Sequence, residues 1–131
     1  MVSNILRFKV TLSLLFVVSC SNSLDPDCND FRDGIIEVDI SDTVKVNQVY
    51  DVEVTYGAPN LCYKFKELTT SFDNSNLIIN AAICNTQKSN EGCPQSPLYG
   101  EETTTIVFKR EGKFSIVIND DSFYKTVWVE E

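Results

Sequence analysis

Five cysteines, 19 acidic residues and no histidine define the chemistry open to this 131-residue chain. The missing histidine removes the commonest general base, the commonest metal ligand and the side chain that titrates near neutrality. A nucleophile needs a base beside it. A Ser–Lys pair or a carboxylate would have to serve, and no G-x-S-x-G turn is present. Adjacent acids occur at Glu101-Glu102 and Asp120-Asp121. Neighbours in a strand point to opposite faces, whereas a glycosidase pair must flank one bond. Asp120-Asp121 falls between two strand-like runs and reads as a turn. Asp25-Pro26-Asp27-Cys28-Asn29-Asp30 opens like a calcium loop, but Asp30 stands where that loop needs Gly and Ile36 where it needs Glu. The expectation is no catalytic residue, no metal site and no cofactor, hence not an enzyme.

Export accounts for one cysteine. Arg7 and Lys9 make a positive start, and residues 10–18 (VTLSLLFVV) form a short apolar run ahead of Val17-Val18-Ser19-Cys20. That run is about half the ~20 residues that a membrane-spanning helix requires. Residues 1–19 therefore read as a signal peptide. The segment ending in Cys20 resembles the lipobox of bacterial lipoproteins. The resemblance implies that Cys20 is acylated on its sulfur and becomes the first residue of the mature chain, anchored in the membrane. Each buried CH2 contributes ~0.8 kcal/mol, so two or three acyl chains hold where one is marginal.

Residues 20–34 follow as a tether rich in Ser, Asn, Asp, Pro and Gly with no period. An acidic stretch soon after the acylated cysteine resembles the surface-export signals of lipoproteins in the Bacteroidota. The resemblance implies the bacterial outer membrane as the address, with the body displayed at the cell surface. The net charge is −8. Removing residues 1–19 takes away two cations and no acid, leaving nine Lys and Arg against 19 Asp and Glu, a net −10 over 112 residues. Nucleic-acid phosphates are poor partners for such a body.

Cys28, Cys62, Cys84 and Cys93 remain. An even count in an exported chain reads as two disulfides rather than a zinc site, because Cys84 and Cys93 are too far apart for a knuckle. Geometry narrows the three pairings. Residues 63–72 and 77–85 read as a hairpin around Asp73-Asn74-Ser75-Asn76, with Phe72 facing Leu77. Counting back puts Cys84 opposite Phe65 and Cys62 near Gln87. A Cys62–Cys84 bridge would span two residues of stagger, which is poor geometry. The favoured set is Cys62–Cys93 with Cys28–Cys84; Cys84–Cys93 with Cys28–Cys62 is the alternative.

The elements that must position these groups are strands. Ile36, Val38 and Ile40 alternate with Glu37 and Asp39, and Tyr50, Val52, Val54 and Tyr56 with Asp51, Glu53 and Thr55. Leu77, Ile79, Ala81 and Ile83 share one face of another run, and Phe114, Ile116 and Ile118 alternate behind Gly112. Residues 103–109, 113–119 and 124–130 complete the set after a loop over 86–100. The fold class is all-β: one β-sandwich of about seven antiparallel strands over residues 35–131. Thr105-Ile106-Val107-Phe108, the stretch from Glu111 to Ile118 and Thr126-Val127-Trp128-Val129 resemble the last three strands of bacterial immunoglobulin-like domains. Cys62 and Cys93, with their neighbours, are similar to the paired Cys segments of small Ig-like lipoproteins. Trp128 lies in the last strand, so the buried Trp of antibody domains does not carry over.

Tyr50 and Tyr56 fall on the core-facing alternation. Tyr99 sits in a loop-like segment, and Trp128 has the opposite parity from Val127 and Val129, so these two form the candidate ligand patch. Three functions fit. The first is a non-enzymatic binding module held at the envelope and engaging a protein. The second is a carbohydrate-binding accessory lipoprotein. The third is an inhibitor or immunity lipoprotein working through the loop over 86–100, where the acidic body would steer it to a basic partner.

Overall fold

In the computed structural model, residues 30–119 and 122–131 are described. Residues 1–29, with the expected signal peptide, Cys20 and Cys28, and Asp120-Asp121 lie outside them. The described residues form nine strands and no helix: β1 (Asp30–Asp33), β2 (Ile35–Asp39), β3 (Thr43–Lys45), β4 (Val49–Ala58), β5 (Tyr63–Asp73), β6 (Asn76–Asn85), β7 (Leu98–Val107), β8 (Gly112–Ile118) and β9 (Ser122–Glu130). They build the expected β-sandwich. A three-stranded sheet has the order β2-β4-β7; a six-stranded sheet has the order β1-β6-β8-β9-β3, with β5 on the other edge of β6.

Alternation in the sequence becomes the core. Val38, Val52, Val54 and Ile106 project from the small sheet. Leu77, Ile79, Phe114, Ile116, Val127 and Val129 meet them from the large one. Each such side chain contributes ~1.5–3 kcal/mol when fully buried. Phe108 seals one end, edge-on to Phe72 at 5.4 Å and to Phe114 at 5.0 Å between ring centroids. No polar side chain is buried among the described residues.

The strand count and directions differ from the expectation of about seven antiparallel strands. Two pairs are parallel, β3 with β9 and β6 with β8. Both follow from where the chain changes sheet. Between β6 and β8 it visits the small sheet as β7, so it re-enters the large sheet running the same way. Between β2 and β3 it crosses at residues 40–42, where Lys125 Nζ donates to the Ile40 carbonyl and, at 2.9 Å, to Asp42 Oδ1.

The strand β1 lies inside the stretch expected to be tether. Along one edge of β6, β8 covers only Asn76 to Ile79, and β1 pairs with Ala82 to Asn85 beyond it. An open ladder of backbone donors and acceptors recruits a strand without any apolar period. The loop before β7 is likewise shorter than expected, because the β4–β7 ladder runs unbroken from Val49↔Val107 to Ala58↔Leu98.

Candidate functional site

Directly opposed residues in an antiparallel pair share a face. With Val38, Val52 and Val54 turned inward, the outer face of the small sheet is set by register. One rung carries Glu37, Thr55 and Glu101, and the next Asp39, Glu53 and Thr103. Asp51 faces Thr105 below them. This face holds five carboxylates and no lysine or arginine among its described residues.

At the end of that face the acids give way to an apolar rung. Tyr99 lies opposite Gly57 and is 67% exposed, while Ile36 is 52% exposed on the other side of β4. Simple alternation predicts that Ile36 points inward with Val38 and Ile40. A β-bulge between Ile35 and Glu37 corrects that: Ile35 takes the buried place and Ile36 turns out. Asn119, at φ 50, fixes the bulge from the far sheet. Its Nδ2 donates to the Ile35 carbonyl and its Oδ1 accepts from the Ile35 N–H, each at 3.0 Å. The Gly57 N–H donates to the Gly34 carbonyl at 2.8 Å.

Glycine at 57 leaves room for both neighbours. A Cβ there would lie 2.5 Å from Ile36 Cδ1 and 3.1 Å from Tyr99 Cδ1. The result is a shallow depression of about 360 Å³ lined by Ile36, Gly57, Ala58, Pro59, Pro97 and Tyr99. A second, of about 300 Å³, lies on the other side of the Tyr99 ring against Thr55, Gly100 and Glu101. Tyr99 thus stands as a ridge between two hollows.

The Cys62–Cys93 disulfide is present, with 5.8 Å between Cα atoms. It ties residues 86–97 to the end of the sheet that carries Tyr99. The Thr86 N–H and hydroxyl both donate to the Cys62 carbonyl, at 2.8 and 2.9 Å. Cys84 is also disulfide-bonded. It faces Lys64 rather than Phe65, because a bulge between Phe65 and Glu67 shifts the hairpin by one. In this register Cys62 lies two positions from the residue facing Cys84, so the two cysteines are not opposed.

Trp128 is 54% exposed, as its parity predicts. It belongs to the other sheet, opposite Lys113, whose Nζ is 5.9 Å from the ring centroid. Tyr99 and Trp128 therefore occupy outward faces that look away from each other. The candidate patch containing both is not assembled.

Glu101 and Glu102 diverge as strand neighbours must. Glu101 is exposed on the outer face; Glu102 is half-buried on the inner side, opposite Val54. Burial and, secondarily, the Glu102 charge raise the Tyr56 hydroxyl above the usual tyrosine range. Tyr56 stacks on Phe65 at 4.8 Å between centroids, and a Cβ at Gly100 would collide with its hydroxyl. Ser122 and Lys125 have S-x-x-K spacing on β9. The Lys125 amine bonds to Asp42 and the Ile40 carbonyl, which commits it to the sheet crossing.

The sequence reading found Tyr99 but missed Ile36, Gly57 and the gathering of the acids. A double isoleucine ahead of Glu37 was the one available sign that a bulge could choose between Ile35 and Ile36. No protein-family model, no curated protein and no solved structure matches the chain.

Proposed function

We propose that this chain is a lipid-anchored, non-enzymatic binding module of the bacterial envelope, held at the outer membrane through Cys20 and engaging a protein partner. The observation that carries the reading is the exposed Tyr99–Gly57–Ile36 rung beside a broad sheet face. An aromatic ridge with shallow hollows suits a protein surface better than a buried small molecule, which needs a deep pocket around most of its area. The lipobox-like segment ending in Cys20 supplies the anchor. An Ig-like assignment of the sandwich is part of the same proposal. It draws support from the β8–β9 hairpin lying in the opposite sheet to β7, and the parallel β6–β8 pair departs from it.

The glycan-binding alternative is weaker once Tyr99 and Trp128 sit on different sheets, because sugar recognition over several rings gains from a continuous aromatic stripe. The inhibitor alternative keeps one supporting observation, since the disulfide-tied loop over 86–97 leads directly into Tyr99. Crosslinking on intact cells, followed by pull-down of the membrane-held protein, tests the proposal. One stoichiometric protein partner is expected. Silence in that assay, together with a Tyr99-dependent fluorescence shift on an oligosaccharide panel, would replace the proposal with the glycan reading.

A further inference from the structure

We infer that the outer face of the small sheet docks a basic protein, with Tyr99 as its apolar anchor and Glu37, Asp39, Asp51, Glu53 and Glu101 as its charged surround. The inference rests on the binding-module reading and names its surface and partner. Large aromatic side chains ringed by polar contacts are where binding energy concentrates. Here the ring is of one sign. None of the described lysines or arginines lies on β2, β4 or β7.

Charge selects the occupant. A second copy of the chain would bring the same carboxylates against themselves, since a twofold interface pairs a patch with itself. Nucleic acid and acidic glycans are repelled, and neutral glycans gain nothing from five carboxylates. No group of three or more acids, cysteines or histidines among the described residues is arranged to hold a metal. A basic protein surface gains from all five, in rate of encounter and in register.

Size sets the strength. Ten residues of β4–β7 ladder, with the five-residue β2 beside part of it, cover on the order of 400 Å² in projection. That is the scale of a transient, salt-sensitive contact.

The test places a photo-reactive benzoyl-phenylalanine in the full-length, membrane-held protein on intact cells, at Thr103 in one strain and at Thr69 in another. Thr103 lies on the proposed face, and Thr69 is exposed on the outer face of the large sheet. The expected result is an adduct from Thr103 with a single protein of high isoelectric point, and none from Thr69. Glu53→Lys with Glu101→Lys should cut that adduct about tenfold, and the neutral pair Glu53→Gln with Glu101→Gln by less. Both variants should melt no lower than the parent, so the loss cannot be unfolding. An adduct from Thr69 alone overturns the face and leaves the binding module standing. A Thr103 adduct indifferent to charge reversal, or made with an acidic protein, overturns the basic partner. Adducts from neither position overturn both.

Discussion

Asp39 and Glu53 stand directly opposite each other across β2 and β4, on an outer face with no lysine or arginine among its described residues. Like charges in that relation weaken the pairing of the strands, by an amount of the order of cross-strand pair energies, ~0.2–1 kcal/mol. A fold gains nothing from this arrangement by itself. A cationic partner would relieve it.

Reversing one member should therefore stabilise the free protein. Glu53→Lys sets an opposite-charge pair against Asp39, and the melting temperature should rise by roughly 1–5 °C at low salt. The gain should shrink in concentrated salt, where the screening length falls to about 3 Å. A drop in melting temperature would show that Glu53 is held by a favourable contact instead.

The Cys62–Cys93 bridge closes 31 residues of sequence. Loop-closure entropy for that span corresponds to ~3–4 kcal/mol of stability. Replacing both cysteines with serine should lower the melting temperature by roughly 15 °C or more, read by circular dichroism under non-reducing conditions. An unchanged melt would mean that the bridge does not form in the folded protein.

Much of this architecture could be read from the chain. Leu77, Ile79, Ala81 and Ile83 alternate because their strand is buried on one face, and Trp128 points outward because its neighbours point in. The Cys62–Cys93 pairing followed from hairpin stagger. What escaped was non-local. Nothing in residues 30–33 announces a strand, since β1 exists through the open edge of β6. Ile36 was misplaced because alternation has no term for a bulge whose fixing group, Asn119, lies 84 residues away. The acids were counted as net charge, and only the register of three strands gathers five of them on one face.

Asn119 offers a direct check on that fixing role. Its amide makes two hydrogen bonds to the Ile35 backbone, part-buried at 3.0 Å each. Asn119→Ala should destabilise the domain by ~1–3 kcal/mol, since both Ile35 groups lose their partner and alanine tolerates φ 50 less well. Proton exchange at the Ile35 amide should accelerate with it. An unaltered exchange rate would remove Asn119 from the account of the bulge.

Tyr56 predicts an alkaline weakness. Burial, then the Glu102 charge, lifts its hydroxyl above the ordinary 10.0, so the unfolded chain gives up this proton before the folded one does. The contribution is whole below pH 10 and is lost as pH climbs through the raised folded value. Tyr56→Phe should flatten the fall in melting temperature above pH 10 relative to the parent. Parallel curves would mean that Tyr56 ionises equally well in both states.

The account turns on Cys20, since a binding module that floats free has no envelope role. Metabolic labelling with radioactive palmitate in a bacterial host, followed by membrane fractionation, tests it most directly. The parent should carry label and sediment with the membranes, and Cys20→Ala should be unlabelled and leave the membrane fraction. A parent that is unlabelled and soluble, or a Cys20→Ala variant that labels and sediments equally, would contradict the anchor and with it the placement of the acidic face.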